Sequence, residues 1–355
     1  MGAKRWIAVL VFGAVLVAAV AGCMFFSRTE AVIEVSSTVG IVPLTITFSG
    51  DASTGPGGIS TYLWAFETGE ILTGSSGTYT FDHAGRYTLT LTVRDADGET
   101  DTETIDIVVE PAVWICDANL DRIYKLDMDG EVLRTFDLPM SDPRGLAIAE
   151  VAGKTWVTVA CYGGGSQRLL LIDQETGAVD TEYVAPAQDP LYLAYGASEP
   201  QRLWHLDGLS RKIYQLNPEN GQVLDSFGTN YFHASQQVGT EVFLQSPQGL
   251  CWSEKDKMPG RLWYLEGETK LLYVIEIDPP IGIFEGVQLE IEEEPVPVDA
   301  SIFPVAGMDW YDGYLWAVDR DDHEIVQIDP TTGLRTGVRI VGLPGASTSG
   351  LAIQR

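Results

Sequence analysis

The feature that most constrains the fold is a unit written five times between residues 111 and 355. Its first half is an aromatic strand: Val113-Trp114-Ile115-Cys116-Asp117, Thr155-Trp156-Val157, Leu203-Trp204-His205-Leu206-Asp207, Leu262-Trp263-Tyr264-Leu265-Glu266 and Leu315-Trp316-Ala317-Val318-Asp319. A second apolar strand follows at 123–127, 170–173, 213–217, 272–276 and 325–329, and then a turn that often ends in glycine, as in Asp129-Gly130 and Thr332-Gly333. Units close on short strands such as Gly145-Leu146-Ala147, Gly249-Leu250-Cys251 and Gly350-Leu351-Ala352. Four strands per unit at a period of about 40 to 60 residues predict the blades of a β-propeller, because one blade cannot bury both faces and must stack in a ring. The region opens on a Val-Trp strand and ends on a Gly-Leu-Ala strand, so the last strand is expected to complete the first blade. Counting units gives five blades. Six is the alternative if residues 230–246 or 282–304 hold a degenerate unit.

Residues 31–110 follow a different rule. Tyr87, Leu89, Leu91 and Val93 alternate with Thr88, Thr90, Thr92 and Arg94, which is a half-buried strand with one wet face. Asp95-Ala96-Asp97-Gly98 reads as a turn, and stretches around Leu44 to Phe48 and Tyr62 to Phe66 repeat the alternation between Gly- and Ser-rich turns. Short strands with regular turns over this length predict a two-sheet sandwich, so the chain as a whole is all-β. The runs 48–54, Tyr62-Leu63-Trp64-Ala65-Phe66 and 85–93 resemble a PKD domain, an immunoglobulin-like extracellular module used as a spacer or protein-contact surface. One departure stands out. The family commonly has Trp-Asp-Phe-Gly-Asp-Gly where this chain has Trp64-Ala65-Phe66-Glu67-Thr68-Gly69. Asp51, Asp95 and Asp97 are calcium candidates by residue type, set against the commoner use of aspartate as a turn former.

The amino terminus predicts location. Lys4 and Arg5 precede an uncharged apolar run from Trp6 to Ala21, short for a membrane span but suited to an export signal. Val20-Ala21-Gly22-Cys23 resembles the bacterial lipobox, which implies cleavage before Cys23 and acylation of its thiol. The expected organisation is a lipoprotein signal peptide at 1–22, a lipidated tether at 23–30, the sandwich at 31–110 and the propeller at 111–355. Each buried methylene contributes roughly 0.8 kcal/mol, so two or three acyl chains suffice for a firm membrane anchor facing outside the cytoplasm. Met24 rather than Asp after the cysteine implies, by resemblance to the family sorting pattern, the outer membrane in a host that has two.

Charge and chemistry narrow the function. With 22 basic and 50 acidic residues the formal net is −28, which excludes nucleic acid as a partner for want of a basic face. Cys116, Cys161 and Cys251 sit in strand-like apolar stretches and are expected as buried free thiols, with one disulfide as the alternative. No phosphate loop, nucleophile elbow or zinc helix occurs. Asp117, Asp207, Glu266 and Asp319 share one position in four units, and by symmetry would form a carboxylate ring able to hold calcium or another divalent metal. The competing reading is that each accepts backbone hydrogen bonds in its own turn; the second unit has no acid there. Glu290 to Glu294 with Pro295 and Pro297 reads as an exposed loop insertion. The repeats resemble propellers of the NHL and gluconolactonase-like superfamily in fold and repeat only.

These parts lead to an envelope lipoprotein whose sandwich presents a propeller for protein or glycan contact. An enzyme, a metal-dependent lactonase or lyase or a glycosidase, is the alternative, and requires carboxylates converging with a His or Asn in one channel pocket. A structural surface component without ligand is the third reading.

Overall fold

The computed structural model describes residues 28–163, 165–197, 201–228, 232–234, 241–242, 246–255, 258–276, 290–291, 295–345 and 347–355. Val20, Ala21, Gly22 and Cys23 lie outside the described residues. Among the described residues the chain is all-β, with a single turn of 3-10 helix at Ala300–Ile302.

Eight strands build the sandwich: β1 (Glu34–Val35), β2 (Val39–Ile41), β3 (Leu44–Ser49), β4 (Ile59–Phe66), β5 (Ile71–Thr73), β6 (Ser76–Phe81), β7 (Gly85–Asp95) and β8 (Thr100–Glu110). One sheet runs β1-β3-β6 and the other β2-β8-β7-β4-β5. The alternation in β7 does what it predicts: Leu89, Leu91 and Val93 are fully buried, beside Trp64 of the neighbouring β4 and facing Ile46 and Phe48 of the other sheet across the core. Trp64 packs tilted against Phe48, ring centroids 4.5 Å apart, and its indole nitrogen donates to the carbonyl of Gly74 at 2.9 Å. At the family departure, the Glu67 carboxylate takes the amide of Thr88 at 2.8 Å and ties the β4–β5 turn to β7. Thr29 already belongs to this fold, since its hydroxyl donates to Asp95 at 2.6 Å.

Five further sheets follow. The first holds β9 (Ala112–Asp117), β10 (Arg122–Leu126) and β11 (Val132–Asp137). The second is β12 (Pro143–Val151), β13 (Lys154–Gly163), β14 (Ser166–Asp173) and β15 (Val179–Val184). The third is β16 (Pro190–Gly196), β17 (Arg202–Asp207), β18 (Lys212–Leu216) and β19 (Val223–Gly228). The fourth gathers β20 (Phe232–Ala234), β21 (Glu241–Val242), β22 (Pro247–Lys255), β23 (Met258–Glu266), β24 (Leu271–Glu276), β25 (Glu290–Ile291) and β26 (Val296–Pro297). The fifth is β27 (Val305–Tyr311), β28 (Tyr314–Asp319), β29 (Glu324–Ile328) and β30 (Arg335–Val341). The last strand, β31 (Thr348–Gln354), returns to pair with β9, so the first sheet reads β11-β10-β9-β31 and joins the two ends of the region.

These sheets are antiparallel apart from the parallel β20–β25 pair of the fourth, and their leading strands touch in sequence: β31 with β12, β12 with β16, β16 with β22, β22 with β27, and β27 with β31. Glycine makes that approach feasible. A Cβ on Gly145 would lie 2.6 Å from the carbonyl oxygen of Leu191, and one on Gly307 would lie 2.7 Å from the amide nitrogen of Leu351. The segments that might have hidden a sixth unit contribute β20, β21, β25 and β26 to the fourth sheet instead. Glu290 and Ile291 therefore form a strand, Ile291 opposite Ile275, rather than the loop their acidity suggested. Residues 292–294 lie outside the described residues.

The junction between the two regions is short. Only Pro111 separates β8 from β9, and Ala112 is buried in the sandwich core. The Lys125 ammonium, on β10, donates to the carbonyl of Val42 at 2.6 Å, and His83 of the β6–β7 turn pairs with Glu150 at 3.2 Å.

Candidate functional site

Asp117, Asp207, Glu266 and Asp319 each close the second strand of their sheet, and each is buried. Opposite them stand Arg122, Lys212, Leu271 and Glu324, so a four-residue turn joins the strands. The last turn residue is left-handed in all four cases, at Asp121, Arg211, Lys270 and His323, with φ between 50° and 57°. One carboxylate oxygen caps the turn. Asp117 accepts from the amides of Asn119 (2.8 Å) and Leu120 (2.9 Å), Asp319 from Asp321 and Asp322 (both 3.1 Å), and Asp207 from Ser210 (2.6 Å). The second oxygen of Asp207 takes the amide of Asp189 at 2.6 Å, just before β16, while Glu266 takes that of Ser246 at 3.0 Å, just before β22. Asp117 reaches Ser347, before β31, at 3.4 Å. Asp319 instead meets the guanidinium of Arg335 at 2.7 Å. Asp117, Asp207 and Glu266 thus clasp a turn to the lead-in of an inner strand, while Asp319 ties its turn to Arg335 at the start of β30.

The second sheet shows why it lacks the acid. Its β13–β14 hairpin runs on to Gly163 opposite Ser166, leaving no four-residue turn to cap. Cys161 stands opposite Pro143 as Asp207 stands opposite Pro190. Thr158, opposite Ala147, therefore occupies the tryptophan position of the other units, and Trp156 lies two residues away from it. Alignment on the indole placed this unit out of register.

Among the described residues the acids whose ligand atoms gather within 4.8 Å are Asp319, Asp322 and Glu324. Arg335 and Arg339 fill that cluster, reaching Glu324 at 2.8 and 3.0 Å. In the sandwich, Asp95 caps its own turn, accepting the amides of Asp97 and Glu99 at 2.9 Å each; the Thr29 hydroxyl leads the interactions that hold its carboxyl below the ordinary range. Cys116, Cys161 and Cys251 are free and buried as expected, and burial pushes the Cys116 thiol up to about 12.

A concavity that no local sequence feature announced lies between the sandwich and the five-sheet region. A cleft of about 950 Å³ is walled by Gly40, Ile41, Pro43, Thr45, Asp82 and His83 on one side and by Lys125, Arg134, Glu150, Lys154, Asp173 and Glu175 on the other. Its deepest cation is Lys125, 5% exposed, over the Trp114 ring at 5.5 Å; burial brings its ammonium down to about 8. Trp114 donates to Gln354 at 3.1 Å and Gln354 to Gln174 at 2.6 Å, fixing the floor. A smaller space of about 100 Å³ adjoins it, lined by inner strands β12, β16, β27 and β31 and closed by Asp82 and His83 of the sandwich. Asp309 faces it, and burial raises its carboxyl above the ordinary range despite bonds from the amides of Trp310 and Ile353 at 2.7 Å each.

His205, on β17, is fully buried, neither ring nitrogen has a partner, and burial lowers it from 6.5 to about 4. The folded chain thus holds it neutral while the unfolded chain protonates below pH 6.5. Stability from this group is complete above that value and falls as pH drops toward 4. Between pH 7.5 and 5 the loss is about 2 kcal/mol. Denaturant unfolding at the two pH values should show it, and His205→Leu should shrink the pH difference by that amount; an unchanged difference would assign the pH dependence elsewhere.

Comparison with known proteins identifies the sandwich. Residues 33–109 match the PKD domain family. The pre-pro-metalloprotease PrtV of two Vibrio cholerae strains is 29% identical over 102 residues, which is 26% of this chain and 11% of the relative. The chain thus spans about a ninth of the curated relatives it matches. The solved PKD1 domain of the same Vibrio cholerae protease is 32% identical, covering 23% of this chain and 96% of that domain with a TM-score of 0.21. A streptogramin B lyase structure is 15% identical, covering 82% of this chain and 86% of its own with a TM-score of 0.38. The amino-terminal module is a PKD domain.

Proposed function

We propose that this chain is a lipid-anchored, extracytoplasmic binding protein in which the five sheets close as a five-bladed propeller carried by the PKD module. The observation that carries the reading is the cleft between the two modules, of a size typical of ligand sites and lined by both. Closure is supported by the unbroken cycle of inner-strand contacts and by β31 completing the first sheet. The seam, with Lys125 and His83 bonded across it, makes the PKD module part of the binding surface rather than a detached spacer. The partner is a protein or glycan at the cell surface. The anchor rests on the sequence around Cys23 and Met24, and in a two-membrane host the site is the outer membrane.

A second reading, an enzyme, is favoured by the smaller space, whose lining includes Asp82, His83, Glu150 and Asp309. Those residue types suit metal or acid–base chemistry. The space of about 100 Å³ is nevertheless well below an ordinary substrate pocket, and Glu150 is held by His83.

The anchor is tested by growing the expressing host with an alkyne fatty acid and reading label and membrane fractionation. Wild-type chain should carry label and sediment with membranes, and Cys23→Ser should lose both. Equal labelling of the two would remove the anchor.

A further inference from the structure

The cleft mixes charges of both signs, and most of them are already held. Its carboxylates are Asp82, Glu150, Asp173 and Glu175, and its cations are Lys125, Arg134 and Lys154. Glu175 pairs with Arg134 at 2.7 Å and Glu150 with His83 at 3.2 Å. Asp173 caps its own turn, accepting the amide of Thr176 at 2.8 Å. Lys125 donates to the carbonyl of Val42 and lies over the Trp114 ring. An anionic ligand would therefore meet four acids, and a cationic one three cations. Net charge selects neither.

Pairing does not exhaust these groups. A guanidinium has five N–H donors, and Arg134 directs two of its nitrogens at Glu175, at 2.7 and 3.2 Å. Each carboxylate has about four acceptor positions, so Glu150 and Glu175 keep several. The hydroxyls of Thr45 and Thr80, bonded to each other at 2.9 Å, line the sandwich wall. Groups that only donate and groups that only accept thus share one cleft. A ligand group that donates and accepts at once satisfies both, and a hydroxyl does so. Ile41, Pro43 and Leu133 add apolar surface for the C–H faces of sugar rings. A peptide fits less well, because strand addition needs an open edge. On β2 the N–H and C=O of Val39 are both taken by the Ser37 hydroxyl, at 3.2 and 2.6 Å.

We propose that the cleft binds a neutral oligosaccharide, its hydroxyls bridging the Arg134–Glu175 pair on one wall and Thr45 and Thr80 on the other. This rests on the reading of the cleft as a binding site and names the class of its ligand. At about 950 Å³ the cleft has room for more than one sugar ring.

The test is isothermal titration of the full chain with neutral hexaoses of glucose, mannose and N-acetylglucosamine. Hexagalacturonate and the neutral peptide acetyl-Thr-Val-Gln-Val-Thr-amide complete the probes. A neutral hexaose should bind more tightly than either of these, with an affinity unchanged between roughly 0.05 and 0.5 M salt, because no new ion pair forms. Arg134→Met should weaken that binding about tenfold, the worth of one charge-assisted bond, and Thr45→Val by a smaller factor. Both side chains are exposed, so thermal unfolding of the variants should match wild type and separate lost binding from lost fold. Should a variant unfold early, the ranking of probes on unaltered protein still decides. Hexaose binding that neither substitution weakens overturns the proposal, since the sugar would then sit elsewhere. Peptide or hexagalacturonate binding without a neutral hexaose overturns it too but keeps the cleft as a binding site, whereas no binding by any probe removes both.

Discussion

Asp207→Ala should destabilise the protein by about 4 kcal/mol, the largest loss expected from any single carboxylate here. Its two oxygens hold the amides of Ser210 and Asp189 at 2.6 Å each, inside a site with no exposure. Alanine leaves both amides unpaired, and each buried orphan costs about 1–3 kcal/mol beyond the lost charge-assisted bonds. Asp207→Asn should recover little, because one of the two positions would then place an amide donor against a backbone donor. The unfolding midpoint should fall by about 8–16 °C for both variants, at about 2–4 °C per kcal/mol. Calcium, magnesium, manganese or zinc should leave the wild-type midpoint where chelator leaves it. A metal-dependent rise lost in Asp207→Asn would instead show that this carboxylate serves a cation, since a ligand at 100 times its dissociation constant adds about 2.7 kcal/mol.

That contrast shows what residue pattern can and cannot reveal. The recurrence of Asp117, Asp207, Glu266 and Asp319 was legible because a repeated backbone repeats its needs. The role was not, because the amides they clasp lie elsewhere in the chain: Ser347 is 230 residues from Asp117, and Asp189 precedes its acid by 18. The same distance effect hid the cleft, since Lys125 and Val42 are 83 residues apart and nothing local marks either as a contact. β3, β4 and β7 of the sandwich were readable because period two is a local property, and β7 buries the side it announces, whereas β1, β2, β5 and β6 were not read. The second sheet of the repeat region misled for a local reason too. Trp156 is the loudest residue of its strand, but a longer hairpin moves the structural match to Thr158.

The other large effect concerns the proposed ring. Gly307→Ala should destabilise by about 3 kcal/mol, toward the upper end of overpacking penalties. Elsewhere such a change tends to stabilise by about 0.4–1 kcal/mol, because alanine restricts the unfolded chain. Gly307 is not left-handed, so backbone conformation offers no objection. The objection is space. An added Cβ would stand 2.7 Å from the amide nitrogen of Leu351 and 2.9 Å from the carbonyl carbon and Cα of Gly350, all backbone atoms of β31. No rotamer change relieves that contact; β27 and β31 must separate, and β31 is the strand that pairs with β9 and completes the first sheet. The two ends of the repeat region would therefore be loosened by one methyl group. Thermal unfolding should show a midpoint lower by about 6–12 °C. Hydrogen exchange should show lost protection first in β31 and β9, because opening begins where the packing is forced apart. A neutral or stabilising Gly307→Ala would mean that β27 and β31 do not meet in solution, and the five sheets would then form an open array rather than a ring.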